Sequence, residues 1–300
     1  MPDVPPHAPS KINLKDYQKP SFDVETVHLD IKLFEDHALV NSTLEMTRQT
    51  IGGIVLFGES LELLALTMNG NELTTDHYSQ EDGKLMIHDA PDQVTLDIQV
   101  RICPQTNTAL EGLYMAGSGD DTMFVTQCEP EGFRKITFYP DRPDVLAIFT
   151  TRLEADKRYP TLLANGNLVE AGEVTDAPER HYAIWQDPTN KPSYLFACVI
   201  ADLDVLTDSY TTSEGREVLL EVYAKSADID KCDVGMQALK DSMKWDEVNY
   251  GRAYDLDRYM IVAVSQFNMG AMENKGLNIF NTACVLSILS PLFSIAPILN

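Results

Sequence analysis

Basic residues are scarce in this 300-residue chain. There are 23 Lys and Arg against 46 Asp and Glu, a formal net charge of -23. So acidic a surface repels phosphate backbones and anionic lipid, which argues against nucleic-acid and membrane partners. Cysteine is also sparse: Cys103, Cys128, Cys198, Cys232 and Cys284 lie far apart, odd in number and with no CxxC pair. That argues against a disulfide framework or a cysteine zinc site and fits reduced thiols in a cytoplasmic protein. The proline-rich residues 1–10 contain no apolar h-region, so no signal peptide is expected. Nor does any run before the last twenty-five residues suit a membrane span.

What is present is period-two alternation. Val27, Leu29, Ile31 and Leu33 share one face, with His28, Asp30 and Lys32 on the other. Val94, Leu96, Ile98, Val100 and Ile102 repeat the pattern. Half-buried strands need this, because successive side chains point to opposite faces. Asn69-Gly70, Asp82-Gly83 and Asn165-Gly166 read as tight turns between strands. The fold expected is mainly β: an antiparallel β-sandwich or saddle over residues 1–205.

From residue 206 the pattern changes. Residues 217–224 (EVLLEVYA) read as a strand. Ile229, Cys232, Met236, Leu239 and Met243 follow at helical spacing, with Asp228 or Ser226 placed to cap the helix. The apolar run 259–264 (YMIVAV) suits a strand buried on both faces. This order marks the start of a mixed α/β domain over residues 206–286, whose strands from 217 onward are expected to expose apolar surface. From Gly276 to Asn300 there is no charged residue, and Pro291 and Pro297 interrupt the apolar stretch 287–300. That stretch reads as an atypical tail, a frameshifted or truncated end rather than a membrane anchor, and is expected to favour aggregation.

The segment Gly270-Ala271-Met272-Glu273-Asn274 concentrates chemistry. A glycine there lets backbone approach a ligand, and a sheltered carboxylate can pair with a cation. The run 259–281 around it, with 127–134 (QCEPEGFR), 139–145 (YPDRPDV), 191–196 (KPSYLF) and 242–247 (SMKWDE), resembles the M1 family of zinc aminopeptidases, in particular its bacterial aminopeptidase N branch. These runs stand in the family's order over residues 12–286.

The resemblance implies an N-terminal β-domain followed by the incomplete start of a thermolysin-like catalytic domain. It implies that Glu129 and Glu273 grip the free α-amino group of a peptide substrate. An exopeptidase must reject internal bonds, and only the chain end carries an ammonium; two carboxylates left unpaired make the wrong substrate costly. Gln127 and Met269 match positions lining the pocket for the first side chain, where a thioether adapts to many shapes. Gly270 and Ala271 are matched to substrate-backbone contacts, with Met272 and Asn274 completing the motif. Glu131 reads as a surface carboxylate, Arg134 and Arg142 as local ion-pair partners, Cys128 as an inert thiol, and Trp185 and Trp245 as packing residues.

The cofactor implied is zinc, held in this family by an HExxH helix and a later Glu. The six histidines here (His7, His28, His37, His77, His88 and His181) show no such spacing, and none follows residue 181. No metal ligand and no complete catalytic set is therefore expected in this chain. The function expected is the N-terminal part of a zinc-dependent aminopeptidase, monomeric, acting on peptides with a free N-terminus and inactive alone. The alternative is a non-catalytic β-module that binds peptides or a partner.

Overall fold

The computed structural model describes residues 13–286; the expectations for residues 1–10 and 287–300 lie outside them. The alternation in the sequence becomes strand geometry. Phe22–Leu33 buries Val27, Leu29, Ile31 and Leu33, and Gln93–Ile102 buries Val94, Leu96, Ile98, Val100 and Ile102. Both lie in an eight-stranded sheet, in the order Asn167–Val174, Ala177–Pro192, Leu146–Asp156, Phe22–Leu33, Ala38–Arg48, Gln93–Ile102, Glu62–Met68 and Asn71–Glu72. One pairing departs from the antiparallel expectation. Phe22–Leu33 and Leu146–Asp156 run parallel, from Thr26 opposite Ile148 to Lys32 opposite Glu154. More than a hundred residues separate them, and so long a crossover need not reverse the chain as a hairpin does.

Two smaller sheets complete this first lobe: Thr161–Ala164, Cys198–Ala201, Met123–Gln127 and Gly112–Ala116; and Ile54–Phe57, Lys84–Ile87 and Tyr78–Glu81. Asn69-Gly70 and Asp82-Gly83 form the hairpin turns read from the sequence, with φ of 51° and 76°, and of 50° and 72°. Asn165-Gly166 does not close a hairpin. There the chain leaves the four-stranded sheet at Ala164 and enters the eight-stranded one at Asn167.

The second lobe is a five-stranded sheet, in the order Asp204–Thr211, Glu217–Ala224, Arg258–Val264, Leu277–Asn281 and Ala271–Met272, with the helix Asp233–Tyr250 on one face. Alternate residues separate two cores. Val218, Leu220, Val222, Ala224, Ile261 and Ala263 meet Cys232, Met236, Leu239 and Met243 beneath the helix. Met260, Val262, Val264, Met272, Leu277 and Ile279 join the core of the first lobe. The central strand is thus buried on both faces, as its unbroken apolar run predicts.

Three expectations are corrected here. The strands from 217 onward are covered, because the first lobe and the helix each take one face. The helix begins after Cys232, which makes no side-chain cap bond, while Asp228 instead holds the Lys231 ammonium at 2.5 Å. Trp245 does not pack in a core: it is 55% exposed on the outer face of the helix, its ring edge-on to Tyr250 at 5.4 Å.

Candidate functional site

The strand Met123–Gln127 is buried along its whole length and delivers Gln127 to its end at 3% exposure. The chain then turns. Gly132 N donates to Cys128 O at 2.7 Å, and a Cβ at Gly132 would lie 2.4 Å from Gln127 O, so the turn needs glycine. Phe133 anchors it in an aromatic cluster, with ring centroids 5.0 Å from Tyr139 and 5.2 Å from Phe196. Arg134 clamps the next stretch by donating from N and Nε to Asp141 Oδ2, at 3.2 and 3.0 Å. Its guanidinium also pairs with Glu131 at 3.3 Å. Arg134 and Arg142 are thus local ion-pair residues, the latter 2.6 Å from Asp144. Cys128 is fully buried, and burial with nearby Asp141 pushes its thiol well above the usual range, so it is no nucleophile.

The second segment leaves the central strand at Val264 and returns through Ala271–Met272, which pairs antiparallel with Leu277–Asn281 at the sheet edge. A strand this short splits its side chains. Ala271 and Glu273 face outward with Met269 and Gly270, whereas Met272 and Asn274 are buried. Asn274 Nδ2 donates to Met272 O at 3.4 Å, and Leu277 N to Asn274 O at 3.2 Å, so Asn274 shapes the turn from inside. A Cβ at Gly270 would meet nothing nearer than Cys284 Sγ at 3.7 Å, so that glycine borders open space.

The two segments touch. Gln127 Nε2 donates to Met269 Sδ at 3.1 Å and to Glu129 O at 3.2 Å, and its Oε1 is buried without a partner. Further bonds cross between the lobes. Tyr114 Oη donates to Gln266 O at 3.1 Å, Gly117 N donates to Gln266 Oε1 at 3.1 Å, and Asn165 Nδ2 donates to Lys275 O at 2.8 Å. Burial raises the Tyr114 phenol, which keeps it a donor. Among the described residues, the Glu129 and Glu273 carboxylates have no hydrogen-bond or ion-pair partner. Two free carboxylates in so acidic a molecule are suited to a cationic group.

All eight residues singled out in the sequence therefore lie on two segments in mutual contact, six of them outside the loop's buried positions Met272 and Asn274. Gln266, Asn165 and Tyr114, which tie the second segment to the first lobe, were not singled out as site residues, Asn165 being read only as part of a turn. Their signal is tertiary, since each acts on backbone far away in sequence. Among the described residues, no group of three or more His, Cys, Asp or Glu could hold a metal ion, so the side chains present do not fit zinc. No helix among them is long and apolar enough to cross a membrane.

The chain is similar to known proteins over most of its length. The Peptidase M1 N-terminal domain matches residues 20–195, and the Peptidase family M1 domain matches residues 234–290. Aminopeptidase N of Caulobacter vibrioides is 46% identical over 93% of this chain and 32% of its own length. Aminopeptidase N of Escherichia coli is 48% identical over 91% of this chain and 31% of its own length. The crystal structure of Legionella pneumophila aminopeptidase A in complex with aspartic acid superposes with a TM-score of 0.85 at 33% identity, over 91% of this chain and 32% of that one. The chain spans about a third of the length of these relatives. The first family match alone covers more than half of its residues, and on that ground the chain belongs to peptidase family M1.

Proposed function

We propose that this chain supplies the amine-reading half of a zinc aminopeptidase site, in which Glu129 and Glu273 pair with the free α-ammonium of a peptide. The observation that carries this is the contact of Gln127 Nε2 with Met269 Sδ, which joins the segments bearing the two carboxylates. Each carboxylate comes from a different lobe, so the pair exists only when the lobes are packed. An internal peptide nitrogen brings no positive charge and would leave both acids desolvated and unpaired. An ammonium brings three donors and satisfies both. Gln127 and Met269 border the pocket for the first side chain in this reading, and the adaptable thioether favours broad acceptance. Ala271–Met272 is an edge strand, so its outer backbone groups are free to bond an extended substrate. Met272 and Asn274 act from behind, holding the loop.

The aminopeptidases of this family depend on zinc. In this reading these residues recognise the amine and take no part in bond cleavage, and the chain alone is expected to bind without hydrolysing.

The test is ligand binding to chain labelled with 13C at its methionine methyls. Alanyl-alanine should shift the Met269 signal, and N-acetyl-alanyl-alanine should not. Glu273→Gln should weaken the dipeptide about tenfold, the equivalent of one charge-assisted hydrogen bond. Alanyl-p-nitroanilide should stay intact with or without added zinc. A Met269 signal indifferent to the free amine, or hydrolysis abolished by Glu273→Ala, would overturn the reading.

A further inference from the structure

We propose that the Asn165 carboxamide is a positioning residue that fixes Glu273 relative to Glu129; this rests on reading those two carboxylates as the amine site. Asn165 lies at the corner where the chain passes between two sheets of the first lobe and is only 3% exposed. A buried carboxamide must find partners. Its Oδ1 accepts from Ala197 N at 2.7 Å, and its Nδ2 donates to Leu195 O at 3.0 Å and to Lys275 O at 2.8 Å. The first two bonds hold the side chain rigid within its own lobe. The third crosses to the second lobe and takes the carbonyl two residues beyond Glu273.

The backbone itself gives no reason for asparagine here. The positive φ at this corner belongs to Gly166, at 94°, and Asn165 is not among the left-handed residues. What the position uses is the carboxamide. The loop is shaped to receive it. Gly276 sits at φ 73°, and a Cβ there would lie 2.7 Å from Leu256 Cδ1 and 3.4 Å from Gly166 N, so its backbone lies flat against the corner. The Lys275 side chain turns away to Asp255, at 2.6 and 2.7 Å from the two carboxylate oxygens. On the other flank of Glu273, Gln127 holds Met269, and Tyr114 and Gly117 hold Gln266. The segment 266–275 is thus tied to the first lobe on both sides of its carboxylate, with Asn165 the tie downstream. Loosening that tie leaves Glu273 attached but lets it drift from Glu129, and two-point recognition of one ammonium is sensitive to such drift.

The experiment uses the whole 300-residue chain, alanyl-alanine as probe and the methionine methyl signals as readout, with Asn165→Ala, Glu273→Gln and the double variant. Asn165→Ala should weaken binding about tenfold while the core Met272 signal keeps its position. In the Glu273→Gln background the same change should cost less than about twofold, because the residue it positions no longer carries charge. Unchanged affinity in Asn165→Ala overturns the proposal. So does an equal loss in both backgrounds, which a merely structural role would give. Should Asn165→Ala fail to fold, Gly276→Ala carries the test. It strains a left-handed position and crowds Leu256 Cδ1, displacing the loop beside Lys275 while leaving the Leu195 and Ala197 bonds of Asn165 intact, and the same loss and the same non-additivity are expected. A wild-type chain that does not bind the dipeptide refutes the amine-site reading and this proposal with it, a result distinct from normal binding in the variant.

Discussion

Lys191 carries its amine where water does not reach. It is 2% exposed, 3.2 Å from Asp187 Oδ2 and 3.9 Å from the centroid of the Phe149 ring. Burial pushes its pKa down to about 8 from 10.5, against the pull of Asp187 and with a small push from Lys275. Below pH 8 the group is protonated both folded and unfolded, and folding bears the full cost of burying the charge. Between pH 8 and 10.5 the unfolded chain holds the proton and the native chain does not, so this group's contribution to stability rises with pH across that window. Lys191→Met leaves Asp187 with its Thr189 bonds alone among the described partners and should cost about 3–5 kcal/mol at neutral pH. The gap between wild type and variant should then widen from pH 8 to 10.5, as followed by urea unfolding; a gap that stays constant would refute the shifted amine. The sequence hides this pair, because a lysine in DPTNKP reads as solvated. Only strand periodicity, which sets residues 187, 189 and 191 on one face, hints at it. The site residues were legible for a different reason: Glu129 and Glu273 sit in short runs whose resemblance to a family is specific. Asn165 was read only as a turn residue, since its partner Lys275 is 110 positions away.

At the scale of the element, the helix Asp233–Tyr250 shows which part of a pattern carries information. Met236, Leu239 and Met243 repeat at three and four, and each is buried under the sheet. The start of the helix is not set by a side chain. Its end is set by the backbone, where Gly251 at φ 62° donates its N–H to Glu247 O at 3.0 Å. Leu239→Ala should therefore destabilise by about 2–5 kcal/mol, through lost burial and the cavity left behind. Val248→Ala, on the exposed face, should change stability by less than about 0.5 kcal/mol. Chemical unfolding of both variants checks the pair, and equal losses would mean that the outer face is covered in solution. Strand pairing was less legible than strand existence. The alternation that marks Phe22–Leu33 and Leu146–Asp156 as strands is local, but nothing local says that they pair in parallel.

For the whole molecule, the decisive feature is the sharing of one sheet between two cores. Met260, Val262, Val264, Met272, Leu277 and Ile279 are interior residues of the first lobe's core, although the second lobe supplies them. Their neighbours Ile261 and Ala263 belong to the helix side. Removing the first lobe would strip one whole face from the central strand, and that apolar surface contributes about 25 cal/mol for each Å² buried. A segment comprising residues 204–286 alone should accordingly lack the far-ultraviolet signal of a folded sheet, whereas the full chain should unfold in a single transition. Hydrogen exchange gives the sharper reading. Amides of Arg258–Val264 and of Phe22–Leu33 should open with the same free energy, because neither core survives loss of the sheet between them. Earlier opening of Arg258–Val264 would mean that the lobes are separable units. The two carboxylates of the proposed site would then be held together by local loop contacts rather than by the common core, and their spacing would survive partial unfolding. Under a single cooperative unit, any substitution that loosens the shared sheet, however far from Glu129 and Glu273, should weaken binding of a free-amine peptide in proportion to the population it opens.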